Sequence, residues 1–147
     1  LAGLTDHPIE DITLSDIHIG SRGGIAMADV SAQSDEHVNA FFLRKDEPGV
    51  TGPRDPFAVP ERPSAYPEPS MFGLLPASAI YARHVKNLTV HDLRYTFTSP
   101  DERPLVVIDD ADDIVFSRFR APSPVGEASR KNNVRHLETH HCDPTLD

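Results

Sequence analysis

Three stretches of the chain share one spacing of apolar residues. They are Ile12-Thr-Leu14-Ser-Asp-Ile17-His-Ile19, Leu88-Thr-Val90-His-Asp-Leu93-Arg-Tyr95 and Ile114-Val-Phe116-Ser-Arg-Phe119-Arg-Ala121. Each alternates apolar and polar for a few residues, slips by one, and then resumes. Alternation with period two marks a strand with one buried face. A flat strand would send its second half to the wrong face after such a slip, whereas a strand that turns a corner would not. The slips fall at Ser15-Asp16, His91-Asp92 and Ser117-Arg118, polar pairs suited to a bend. An Asp or Asn precedes each stretch (Asp11, Asn87, Asp113), and these residues tolerate the left-handed conformation.

The second and third stretches extend backwards in step, Ile80-Tyr-Ala82-Arg-His-Val85 lying over Val106-Val-Ile108-Asp-Asp-Ala111 at a constant offset of 26 residues. The first lies 76 residues before the second, and most of that gap reads as one insertion. Short strands, corners and a fixed period predict an all-β fold, a right-handed single-stranded parallel β-helix of about three coils. Each coil stacks on the next and the inward residues form apolar ladders. A β-sandwich would explain the alternation but not the constant offset or the matched slips. A helical repeat lacks the i, i+3, i+4, i+7 spacing it needs. The predicted organisation is a single domain over 1–147, with coils near 7–19, 80–95 and 105–121, an insertion at 20–79 and a C-terminal tail at 122–147.

Eight of the 14 prolines lie between Pro48 and Pro76, which keeps most of the insertion out of any ladder. Within it, Ser34–Arg44 is expected to form a short helix capped by Ser34 or Asp35, and Glu47–Pro69 to run as an extended loop. Met71 and the aromatic residues around it are expected to bury. In the tail, Val134 and Leu137 can begin a partial coil, and the remainder is expected to fray.

Composition narrows the function. A net charge of −9 disfavours nonspecific binding to nucleic acid or to anionic membranes. Nothing approaches the run of about 18 apolar residues that a membrane span requires. No signal-peptide pattern is visible, and a chain that starts at Leu1 reads as processed or excised. Cys142 is the single cysteine, so no internal disulfide can form. The run His140-His-Cys-Asp143 contains zinc-ligand types, but adjacent residues cannot all face one ion, so no metal and no cofactor is expected. Asn87-Leu-Thr89 matches a glycosylation sequon, with its Asn at a repeated corner position.

The chain resembles glycoside hydrolase family 28, the polygalacturonase and rhamnogalacturonan hydrolase family. The resemblance rests on Pro8–Ile17, Gly23-Gly24, Val59-Pro-Glu61, Tyr66-Pro-Glu-Pro-Ser-Met-Phe-Gly73, Leu75-Pro76, Ala82-Arg-His-Val-Lys-Asn-Leu88 and Asp101-Glu-Arg-Pro104 with Leu105–Asp110. It spans about residues 7–121 and implies a pectin lyase-like β-helix, of which these would be the last coils. The resemblance also implies action on pectic polysaccharide with inversion by paired carboxylates, and a secreted or periplasmic location. The family's Asn-Thr-Asp, Gly-His-Gly and Arg-Ile-Lys motifs are missing. The pairs Asp109-Asp110 and Asp112-Asp113 match Arg83-His84 and Lys86-Asn87 by offset and read as corner residues. No catalytic residue is therefore assigned, and this chain alone is expected to be inactive.

Tyr66, Glu68, Phe72, Arg83 and His84 are the candidates for contact with sugar, since aromatic rings stack on sugar faces and Arg or His can meet a uronate. Each also has a plain structural role open to it. Three possibilities remain in view. One is the C-terminal β-helix portion of a larger glycosidase, with its N-terminal coils missing. The second is a stand-alone, non-catalytic β-helix that binds polysaccharide or assembles into a homo-oligomer, because open ends expose unpaired strand edges. The third is a degenerate remnant with no present function, which sequence alone does not separate from a stand-alone module.

Overall fold

The structure is a computed structural model and describes residues 1–33, 52–64 and 69–146. The chain falls into two compact units, one of residues 1–24 and 77–147, the other of residues 25–76.

The first unit is built on β1 (Ile9–Gly23), β2 (Ile80–Ser99), β3 (Val106–Ser117) and β4 (Ser129–His140). They form one sheet in the order β1-β2-β3-β4, and every pairing is parallel. Ile9 pairs with Val85, Val85 with Ala111, and Ala111 with Val134. The offsets of 76 and 26 residues legible in the sequence are thus the offsets of strand pairing.

The expected bends are present as single left-handed residues set on matching positions. Asp11, Asn87, Asp113 and His136 have φ of 57°, 52°, 56° and 52°. Asp16, Asp92, Arg118 and His141 form a second series at 55°, 52°, 55° and 55°. His84, Asp110 and Asn133 form a third at 50°, 51° and 50°. One left-handed residue inside a strand turns the chain and skips one step of the alternation, so apolar residues on both sides of it face the same way. Asp and Asn are among the side chains that enter this region at least cost. Side chains tie the series together: Asn87 Nδ2 donates to Asp11 Oδ1 at 2.7 Å, and Asn133 Nδ2 to Asp110 Oδ1 at 2.5 Å.

The core is the set of inward ladders. Val85, Leu88, Val90, Leu93 and Tyr95 of β2 lie on Ala111, Ile114, Phe116, Phe119 and Ala121, and the first four positions of β3 and its continuation are buried with them. The same positions of β1 (Ile9, Ile12, Leu14, Ile17, Ile19) and of β4 (Val134, Leu137) are only half-buried. Tyr95 is fully buried, its ring 6.0 Å from that of Phe97, and its hydroxyl has no hydrogen-bond partner among the described residues. An unsatisfied buried hydroxyl carries a desolvation cost of about 1–3 kcal/mol. Tyr95→Phe is therefore expected to be neutral or to stabilise by up to about 1 kcal/mol, read as an unchanged or raised denaturation midpoint. A clear drop would show that the hydroxyl is hydrogen-bonded.

Segment 122–147, expected to fray after a partial coil, instead carries β4, a fourth parallel strand among the described residues where about three coils were expected. Two things hid β4. Its step from β3 is 23 residues (Ile114 to Leu137) and not 26. Its inward positions are also partly polar, with Ser129, Lys131 and Thr139 standing opposite Val106, Ile108 and Phe116. Beyond β4, Leu146 is again buried in the core.

The second unit holds a short helix, α1 (Met27–Ala32), and a 3-10 turn at Pro69–Phe72. Gln33 ends α1 in the left-handed conformation and is fully buried. Its side-chain amide donates to the carbonyls of Val30 (2.6 Å) and Leu74 (2.9 Å), and its Oε1 accepts from the Leu74 amide (3.1 Å). Met71 is buried, as expected. The helix expected at Ser34–Arg44 lies outside the described residues. Among the described residues no helix is long and apolar enough to cross a membrane.

Candidate functional site

Of the five candidate sugar contacts, Tyr66 and Glu68 lie outside the described residues. Phe72 is half-buried in the second unit, where its carbonyl accepts from Arg54 Nη2 at 3.2 Å. Arg83 and His84 are neighbours on β2 in the first unit. Arg83 is buried, with its guanidinium 5.9 Å from the Tyr81 ring centroid, and its backbone bonds to Leu1 and Gly3. Arg83 is thus held within the first unit by these contacts.

His84 opens on a cavity of about 250 Å³. As a left-handed residue it projects from the corner, and its Nδ1 lies 2.7 Å from Asp110 Oδ2 on the next strand. Lys86, Asp112 and Arg135 line the same cavity. Lys86 bonds Glu10 at 3.1 Å and Arg135 bonds Asp112 at 2.8 Å. Glu10, Lys86, Asp112 and Arg135 share one register position on the four strands, so the charges alternate up the column. The Asp112 carboxyl is held below its ordinary value by the hydrogen bond from His136, with Arg135 adding to the effect against partial desolvation. Asp110, paired with His84 and Asn133, and Asp109, which accepts from Asn132 at 2.8 Å, are tied into corner contacts.

Asp112, Asp113 and His136 bring one donor atom each within 4.8 Å of one another. Their chemistry suits a divalent cation, but Arg135 already holds one Asp112 oxygen, and a cation there would have to displace or tolerate that guanidinium. In the C-terminal run, His140 pairs with Glu138, while Cys142 Sγ turns to the carbonyl of Phe116 at 3.6 Å.

The outer face beyond the second series of bends carries a basic patch that is not among the candidates chosen by residue type. Arg94 on β2 pairs in parallel through an isolated bridge with Arg120, just beyond the end of β3, and both are exposed. With Arg118, Asp92 and Leu93 they line a cavity of about 190 Å³. Arg118 grips Asp92 through Nε (2.5 Å) and Nη2, and Nη2 also meets His91 Nε2 at 2.5 Å. This bond from Arg118 holds the Asp92 carboxyl below its ordinary value. Asp92 thereby anchors Arg118, while Arg94 and Arg120 stand one strand spacing apart, about 4.8 Å. The signal was present in the sequence, since Arg94 and Arg120 are separated by the repeat offset of 26 residues.

No protein-family model, no curated protein and no solved structure matches this chain.

Proposed function

We propose that the chain is a segment of a right-handed parallel β-helix, the C-terminal portion of a glycoside hydrolase family 28-like protein, and that it holds pectic polysaccharide without cutting it. Support for the fold comes from the four parallel strands, stacked in sequence order and bent at matching left-handed positions. For binding, the observation that carries the reading is the in-register pair Arg94 and Arg120, flanked by the anchored Arg118. Two exposed arginines whose backbones pair in register and whose side chains line one cavity can offer charge-assisted hydrogen bonds to the oxygens of a uronate. They also give an acidic chain a local attraction for a polyanion. On this reading the protein works where pectic polymers are, outside the cytoplasm or in the periplasm, and needs no cofactor. Its catalytic carboxylates would lie in coils other than these.

The test pairs activity with binding. No reducing-sugar release is expected from polygalacturonate or rhamnogalacturonan. Retardation in a polygalacturonate affinity gel is expected, and none in a neutral galactan gel. Replacing Arg94 and Arg120 by Gln removes two charge-assisted contacts of about 1.5–3 kcal/mol each and should weaken binding by tenfold or more. Equal retardation of wild type and variant would sink the assignment. Turnover would reopen Asp109 and Asp110 as a carboxylate pair.

A second reading is a stand-alone module that assembles with copies of itself. The half-buried apolar positions on both outer strands favour it.

A further inference from the structure

The two outer strands present surfaces that complement each other. β1 and β4 are the edges of the sheet. Edge strands offer unpaired amides and carbonyls to any strand that can match them. At the β1 edge the ladder positions Ile9, Ile12, Leu14 and Ile17 are half-buried, although their counterparts on β2 are fully buried. At the β4 edge, Val134, Leu137, Thr139 and Leu146 line an open cavity of about 490 Å³. Each end therefore shows the apolar interior to solvent at the same register positions.

Charge adds direction. The internal register runs Ile9, Val85, Ala111, Val134 and Ile12, Leu88, Ile114, Leu137. Continued by one more strand, it sets Val134 and Leu137 of one copy against Ile9 and Ile12 of the next. The same step sets Arg135 against Glu10, His136 against Asp11 and His141 against Asp16. The pair of Arg135 and Glu10 extends the alternation Glu10, Lys86, Asp112, Arg135 that already binds neighbouring strands through Lys86–Glu10 (3.1 Å) and Arg135–Asp112 (2.8 Å). A β1-to-β1 contact would join two edges that both carry Glu10, Asp11 and Asp16, whereas the β4-to-β1 contact joins acids to bases.

We propose that this chain associates head to tail, the β4 edge of one copy docking in parallel register on the β1 edge of a second copy, with Arg135 and Glu10 as the central ion pair. This rests on the stacked-coil reading of the fold and on the second reading above, the self-assembling module, since coils preceding β1 would themselves cover the β1 edge. A head-to-tail contact of this kind is heterologous, so it does not stop at a dimer but propagates.

Sedimentation equilibrium on the 147-residue chain from micromolar to millimolar concentration is expected to show a mass that climbs without a plateau at the dimer. Arg135→Glu and Glu10→Arg each place like charges across the junction, and each should weaken association by at least about tenfold. Mixed in equal amounts they should associate again, because the new acid at position 135 of one meets the new base at position 10 of the other. Circular dichroism on each sample reports whether the sheet is intact. A sheet-rich monomer at every concentration would overturn the docking alone, as would a plateau at the dimer or a mixture that fails to recover. A chain without a sheet spectrum would overturn the stacked-coil reading and the docking together.

Discussion

Phe116→Ala is expected to cost about 3–5 kcal/mol, the range for truncating a large buried aromatic. A domain of this size has about 5–15 kcal/mol in total, so the variant should lie at the edge of unfolding at room temperature. Phe116 is fully buried, packs edge to face on Phe119 at 6.0 Å and 86°, and sits between Val90 and Thr139 on the neighbouring strands. β3 is an inner strand, so the void left by the ring is walled by β2 and β4 and has little room to collapse. Thr139→Ala, at the matching position of the edge strand, removes only a small, half-exposed side chain and should cost well under about 1 kcal/mol. Urea denaturation of both variants gives the comparison. A cost for Phe116→Ala below that of Thr139→Ala would mean that the inner ladder is not the core. If the stacked strands behave as neighbour-coupled units, the loss at β3 should also separate β4 from β1 and β2. Hydrogen exchange would then show β4 amides opening before those of β2.

This ladder was readable from the sequence because its information is local and periodic. Leu88, Val90 and Leu93 repeat as Ile114, Phe116 and Phe119, and the slips at Asp92 and Arg118 coincide with left-handed residues. The bends at Asp11, Asn87 and Asp113 were legible for the same reason, since Asp and Asn favour that conformation. His136 and His141 continue the two series without that chemical cue, and the shorter step to β4 removed the spacing cue as well. The contacts around the site were harder to read. His84 meets Asp110 and Arg118 meets Asp92 across a strand-to-strand step of 26 residues, so each pair follows only once the register is known. Given the offset, the stacking of Arg94 on Arg120 was derivable. Without it, the sequence shows scattered basic residues in an acidic chain. Phe72 and Arg83 were chosen by residue type, and type alone does not distinguish a sugar contact from a packing one.

Arg103→Ala should be the most damaging substitution outside the apolar ladders. Asp101 is 1% exposed, and its two oxygens accept from Arg103 Nε at 2.9 Å and Nη2 at 3.0 Å. The Arg103 amide donates to the same carboxylate at 3.1 Å, and Nη1 donates to the carbonyl of Ala77 at 3.2 Å. The pair thus clips the turn between β2 and β3 to the start of the segment leading into β2. Removing the guanidinium leaves a carboxylate in a site closed to water, which costs about 3–5 kcal/mol where one member of a buried pair is lost. The same logic predicts strong non-additivity. Replacing both residues by apolar ones of similar volume (Asp101→Leu with Arg103→Met) removes both charges along with their desolvation cost, and buried pairs exchanged in this way are often near neutral. That double variant still leaves the Ala77 carbonyl without its Arg103 contact and the backbone amide of residue 103 without its Asp101 acceptor, so it should sit between wild type and Arg103→Ala. Denaturant midpoints of the single and double variants close the cycle. Additive costs would mean that the two side chains are solvated independently. A double variant at least about 2 kcal/mol more stable than Arg103→Ala would show that the penalty arises from the stranded carboxylate and not from lost packing.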